Sequence, residues 1–285
     1  MSDQHKLPLL KESLEFLVDE LGADDRISIV TYAGSSDIVL ESTSCDKKSK
    51  IKKAINKLST GGGTNGAEGI ITAYEIAQSN LIPGGNNRII IATDGDFNIG
   101  PSTTTDLVSL IEEKRDLGIF LTVLGLGKGN LNDANLEQIA DNGNGTYEYI
   151  DNVNQAKKVF VYEFGKFFTV AKDVKVQVAF NPDLVESYRL IGYENRLLEN
   201  EDFENDAKDA GEIGAGQNIT ALYEIKTKSL ADFRLYPTFT IDFRYKLPEA
   251  DESIPLAYEI LDQGNTFAES PRAMLLVTTA AGFSI

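Results

Sequence analysis

Residues Arg88–Gly100 read RIIIATDGDFNIG, a β-branched apolar run that stops abruptly at oxygen-bearing side chains. An uninterrupted Ile-Ile-Ile-Ala suits a strand buried on both faces, the mark of a parallel sheet covered by helices. Asp94 then stands at the carboxyl end of that strand, where doubly wound α/β sheets bind their ligands.

The flanking sequence agrees. Upstream, Leu7, Leu10, Leu14, Leu17, Val18 and Leu21 recur at helical spacing and Gly22 supplies a stop. RISIVTY (26–32) and DIVLE (37–41) read as strands, the second at an edge, and KSKIKKAINKL as a basic amphipathic helix. STGGGTNGAEGIITAYEIAQ is a glycine-rich loop feeding a helix. Downstream come the helix TDLVSLIEEKRDLG, the strand IFLTVLGLG, the short helix NLEQIADNGNG, the strand TYEYI and a last helix, NQAKKVFVYEFGKFF. Strands alternating with helices predict a doubly wound, mostly parallel α/β domain over residues 1–170.

Beyond Val170 the period changes to two. DVKVQVAF and FTIDFRY alternate apolar with polar residues, and SYRLIGYE and NITALYEI add further strands. Residues 171–285 are therefore expected to form an antiparallel, sandwich-like β-rich domain. The acidic connection ENRLLENEDFENDAKDAGEIGAG reads as an exposed loop with a short helix. Such loops are more often solvated than calcium-binding.

Composition excludes several functions. The net charge of -17 repels phosphate backbones, so nucleic acid and anionic membranes are poor partners. No apolar run approaches the roughly 18 residues of a membrane span, and SDQHKLPLLKESLEF after Met1 lacks the pattern of a signal peptide. His5 is the single histidine and Cys45 the single cysteine, which rules out a paired-imidazole zinc site and an internal disulfide. Any metal should be a hard cation held by oxygen.

Thr64 or Asn65 lies near the start of the helix after GGGTNG, and with Asp94 offers oxygen ligands from two loops, a set that suits Mg²⁺. Taken alone, a loop Thr and a strand-end Asp are as well explained by a helix cap and an Asx turn. DGDFN begins like a calcium loop at Asp94, Asp96 and Asn98, but Ile99 stands where that loop needs glycine. GLGKGN (125–130) lacks the spacing of a phosphate loop and reads as a turn. A hydrolase or phosphotransferase using Asp94 and Asp96 is the alternative from another class, although no lysine or second acid motif is paired with them.

Taken in order, KLPLLKESLEFLVDELGADDRISIVTYAG, GGGTNGAEGI, RIIIATDGDFNIG and LEQIADNGNGTYEYID resemble the von Willebrand factor type A domain. More narrowly, the chain resembles the bacterial YfbK-like group, whose C-terminal region is similar to YRLIGYENRLLENEDFENDAKDAGEIGAGQNITALYEI. The resemblance implies a non-enzymatic, adhesion-type module of the cell envelope or periplasm that binds a protein partner through a divalent cation, the partner's carboxylate completing the coordination. It assigns Thr64 and Asp94 as metal ligands, and places Gly63, Asn65, Gly95 and Asp96 around them as the partner-facing residues. The family's D-x-S-x-S motif, at the end of its first, central strand, has no counterpart here. The favoured expectation is a chain begun at an internal methionine. The others are a natural member that has given up the metal, or RAMLLVTT near the carboxyl end filling the central slot. Mg²⁺ is expected to bind weakly or not at all. A scaffold acting through the β-rich domain alone is a further alternative.

Overall fold

The computed structural model describes residues 5–32, 36–61, 66–94, 104–127, 133–192, 197–228, 235–248, 250–262, 264 and 266–284. It divides into one unit of residues 1–169 with 214–217 and another of 170–213 with 218–285.

The first unit begins with α1 (Lys6–Glu20), β1 (Arg26–Thr31), β2 (Asp37–Ser44), α2 (Lys48–Lys57) and α3 (Gly66–Ser79). It continues through β3 (Asn87–Thr93), α4 (Thr104–Asp116), β4 (Ile119–Leu126), α5 (Asp133–Asn142), β5 (Tyr147–Ile150) and α6 (Val153–Lys157). β3, β4 and β5 form a parallel sheet with β4 in the middle, Ile89 opposite Leu121 and Val123 opposite Tyr147. Alternation along the strands sends side chains to two cores. Ile89, Ile91, Ile119, Leu121 and Val123 meet α3, α4 and α5 on one face. Ile90, Ala92, Leu124 and Leu126 meet α1 and the α6 region on the other. Each fully buried Leu or Ile contributes about 1.5–3 kcal/mol.

The sheet is split. β1 pairs antiparallel with β2, and among the described residues neither is hydrogen-bonded to β3. Yet the same helices cover both parts. On one face α1 packs on Ile27 and Ile29 of β1 and on Ile90 and Ala92 of β3. On the other, α3 packs on Ile89 and Ile91, and its Gly69 lies so close to Tyr32 that a Cβ there would come within 2.5 Å of the tyrosine's. The two sheets therefore share their helical cover, and among the described residues no strand fills a slot between β1 and β3. The segment RAMLLVTT does not fill this slot. It lies in α7 (Arg272–Ser284), a helix of the second unit.

The last helix expected in this unit is broken. After α6 the chain makes a π-helical turn at Lys158–Tyr162 and a 3-10 turn at Phe164–Phe167. An α-helix would separate the neighbours Val159 and Phe160 by about 100° of rotation. The wider π turn accompanies full burial of both, with Phe160 stacked on Phe167 at 5.8 Å. Arg88 and Asn86 donate to the Phe167 carbonyl at 3.0 and 2.7 Å, fixing the end of the segment.

In the second unit β6 (Thr169–Phe180), β7 (Val185–Ile191), β8 (Gly211–Gly214), β9 (Leu222–Thr227), β10 (Phe239–Lys246) and β11 (Ile254–Ile260) precede α7. The order β11–β10–β6–β8 makes one sheet, with β10 antiparallel to β6 and β11, and β7–β9 makes a second. Phe180 joins them, stacking on Tyr188 at 4.1 Å and meeting Tyr223 edge-on at 5.4 Å.

The acidic connection carries the expected short helix, a 3-10 turn at Asn200–Asp202, and its described residues are mostly exposed, but its backbone is also tied to the sheet. Lys175 of β6 donates to the Asp202 carbonyl at 3.1 Å and to that of Asn205. Lys246 of β10 bonds Asp173 Oδ2 and the Asp206 carbonyl, both at 2.7 Å, while Arg244 and Ser253 hold the Asp206 carboxylate. Of these two carboxylates Asp206 belongs to the connection and Asp173 to β6, and each is bonded by a cationic side chain of β10.

Candidate functional site

β3 delivers Asp94 where the sequence places it. Thr93, the last strand residue, is buried, and Asp94 follows at the mouth of the sheet with its side chain 31% exposed. Lys6, in the first turn of α1, reaches across to it. Its ammonium lies 3.4 Å from Asp94 Oδ2 and 3.3 Å from the Asp94 carbonyl oxygen. Partial burial works against ionisation of Asp94, but the surrounding positive charge, Lys6 included, outweighs it and holds the carboxyl below its usual range.

Gly127, just past β4, makes room for this contact. Its φ of +82° is left-handed, and a Cβ there would stand 2.7 Å from Lys6 Cε. Its N–H donates to the Ile150 carbonyl at 3.0 Å, so the turn is anchored to β5. Tyr32, just after β1, donates its hydroxyl to the Ala92 carbonyl at 2.6 Å. Burial, reinforced by the charge of Asp94 and only partly offset by a hydrogen bond with Thr93, pushes the Tyr32 phenol up to about 12, so it remains a donor.

Thr64, Gly63, Asn65, Gly95 and Asp96 lie outside the described residues. Lys6, Tyr32 and Gly127 escaped the sequence reading. Lys6 looks like an ordinary helix-start lysine, and only the glycine of GLGKGN marked a turn at that place.

Of the two metal ligands that the resemblance assigns, the described residues include Asp94 but not Thr64. No group of three or more His, Cys, Asp or Glu side chains converges among them. The carboxylate that should hold the metal carries an ammonium, and a dication beside it would meet a like charge at short range.

The profile of the von Willebrand factor type A domain matches residues 1–161. This chain belongs to the von Willebrand factor type A family. The profile described as "Uncharacterized protein YfbK, C-terminal" matches residues 165–285. Over 226 residues the chain is 48% identical to uncharacterized protein YfbK of Escherichia coli, covering 79% of this chain and 39% of the relative. It is 28% identical over 171 residues to uncharacterized protein sll0103 of Synechocystis, covering 59% of this chain and 39% of that one. The chain thus spans about two-fifths of the length of these curated relatives. Among solved structures, a von Willebrand factor type A protein from Catenulispora acidiphila shares the fold, with TM-score 0.53 and 15% identity over 90% of this chain and 62% of that one. The type A fold accounts for the parallel sheet and its helices, and the YfbK-like region for the antiparallel strands that follow.

Proposed function

We propose that this type A chain is a non-enzymatic, protein-binding module whose recognition face is the Asp94 end of the parallel sheet. On that face Lys6 supplies the positive charge that a divalent cation would otherwise bring to Asp94, so Mg²⁺ binds weakly or not at all. The observation carrying this reading is the 3.4 Å ion pair of Lys6 with Asp94 at the carboxyl end of β3. A strand-end carboxylate with a balanced charge at the carboxyl end of a parallel sheet suits recognition of a polar group on another protein. Thr64, Gly63, Asn65, Gly95 and Asp96 are proposed to flank it. The cell envelope is the proposed location, on family resemblance alone. No helix among the described residues is long and apolar enough to cross a membrane.

A photo-reactive residue at Ser36, and separately one at Lys53 on the exposed face of α2, tests this in the producing cell. The expected result is a protein adduct at Ser36 that disappears with Asp94→Ala and is absent at Lys53. Adducts indifferent to Asp94→Ala, or Mg²⁺-dependent phosphate-ester turnover lost in Asp94→Asn, would overturn it.

A further inference from the structure

We propose that β11 is a self-association edge, at which two copies of this chain pair their β11 strands antiparallel about a two-fold axis at Ala257. The inference does not depend on what Asp94 binds.

The first ground is where the hydrogen-bonding groups of the edge point. Among the described residues β11 pairs with β10 alone, and it is exposed along almost its whole length. Pro255 stands opposite Arg244 and has no N–H to give it. Antiparallel strands exchange both of their bonds at every second pair, so Arg244–Pro255 is one of the pairs without them. The even-numbered residues of β11, from Ile254 to Ile260, are therefore the ones bonded to β10. The far side of β10 agrees. Asn181 donates to the Thr238 carbonyl at 2.9 Å, which continues the β6 ladder along the even-numbered positions of β10 and leaves the odd ones for β11. Ala257 and Glu259 consequently turn both N–H and C=O outward, and Pro255 turns out its C=O. Such an edge is a template for another strand.

The second ground is that this edge complements itself. With Ala257 opposite the partner's Ala257, the two exchange both bonds, and each Glu259 N–H meets the opposing Pro255 carbonyl. All four outward N–H groups of the two strands are then used. Moving the axis to Tyr258 would also use all four, but would bring the two Glu259 carboxylates closer together, from four positions apart to two. The seven residues of β11 carry one charge, Glu259, in a chain of net charge -17, so two copies meet here with little local repulsion. On the apolar face the pairing sets Leu256, 44% exposed, beside the partner's Tyr258, 51% exposed. One strand supplies both halves of such a two-fold interface. Stable interfaces use about 20–30 residues a side, and this edge is smaller, so a Kd of about 10–300 μM is expected.

Sedimentation equilibrium of the chain from about 10 μM to 1 mM reads the association. The expected result is a monomer–dimer equilibrium whose Kd falls at least about threefold between about 0.05 and 0.5 M salt, as repulsion between the acidic copies is screened. Ala257→Asp sets two carboxylates face to face and should weaken the dimer at least about tenfold, with the thermal melt unchanged. Oxidation should crosslink Ala257→Cys, because the Cα atoms of a hydrogen-bonded pair lie about 5.5 Å apart, within disulfide reach. Tyr258→Cys should crosslink far less, and the unsubstituted chain not at all, since its Cys45 is buried. A chain still monomeric at about 1 mM in about 0.5 M salt, a dimer indifferent to Ala257→Asp, or crosslinking of Tyr258→Cys in preference to Ala257→Cys would overturn the proposal.

Discussion

The ammonium of Lys6 sits 3.4 Å from Asp94 Oδ2, bringing the first turn of α1 onto the carboxyl end of β3. The lysine stem runs over Gly127, so three segments distant in sequence meet at one point. Asp94 is thereby an internally neutralised carboxylate, and the account of this face follows from that pairing.

Gly127→Ala tests the support beneath Lys6. The clash is with the far end of a flexible side chain, which can move, so the left-handed φ of +82° decides the cost. A loss of about 1–2 kcal/mol is expected, measured by urea unfolding.

Gly145→Ala should cost more. A Cβ at Gly145 would stand 1.7 Å from the Leu121 carbonyl oxygen, part of the central strand's backbone. Backbone of a buried strand cannot step aside as Lys6 can. A loss of about 3 kcal/mol or more is expected in the same measurement.

The Asp173–Lys246 pair in the second unit is largely buried, with side chains 16% and 10% exposed. Lys246→Met leaves the carboxylate without its partner and should cost about 2–4 kcal/mol. Adding Asp173→Asn should recover part of that loss. Additive losses in the double-mutant cycle would show that the two do not act as a pair.

Stability of the second unit should fall with acid. Hydrogen bonds from Ser253 and then Arg244 lower Asp206 from 3.8 to about 2. A depressed carboxylate stabilises the fold above its unfolded pKa, and that contribution disappears as pH falls through the folded value. Asp206 thus accounts for a loss between about pH 4 and 2. Asp173 adds to it: burial opposes its ionisation, but Lys246 and the Ala210 N–H still lower it. Asp206→Asn should flatten the curve in this window, measured by thermal melts from pH 6 to 2.

Much of this was legible in the sequence because the physics is local. RIIIATD declares a strand buried on both faces with a carboxylate at its end, and Asp94 stands there. The alternation in DVKVQVAF and FTIDFRY likewise marks β6 and β10. β11 escaped because IPLAYEI is exposed along almost its whole length and carries a proline, so no clean alternation shows. The π turn escaped because burying adjacent Val159 and Phe160 depends on partners far along the chain. Lys6 escaped for the same reason. Its role depends on Asp94, 88 positions away, and no spacing rule reaches that far. In the acidic connection the exposed loop and its short helix were legible, whereas the grip of Lys175 and Lys246 on its backbone carbonyls and of Arg244 on Asp206 was not, because those partners lie on distant strands.

Calorimetric titration of Mg²⁺ into the chain, its Lys6→Ala variant and its Asp94→Ala variant tests the central claim most directly. The account predicts a Kd weaker than about 1 mM for the unsubstituted chain. It predicts at least about tenfold tighter binding once the competing ammonium is removed in Lys6→Ala, a modest gain because the pair is partly exposed. Micromolar binding by the unsubstituted chain, abolished by Asp94→Ala and unimproved by Lys6→Ala, would contradict it.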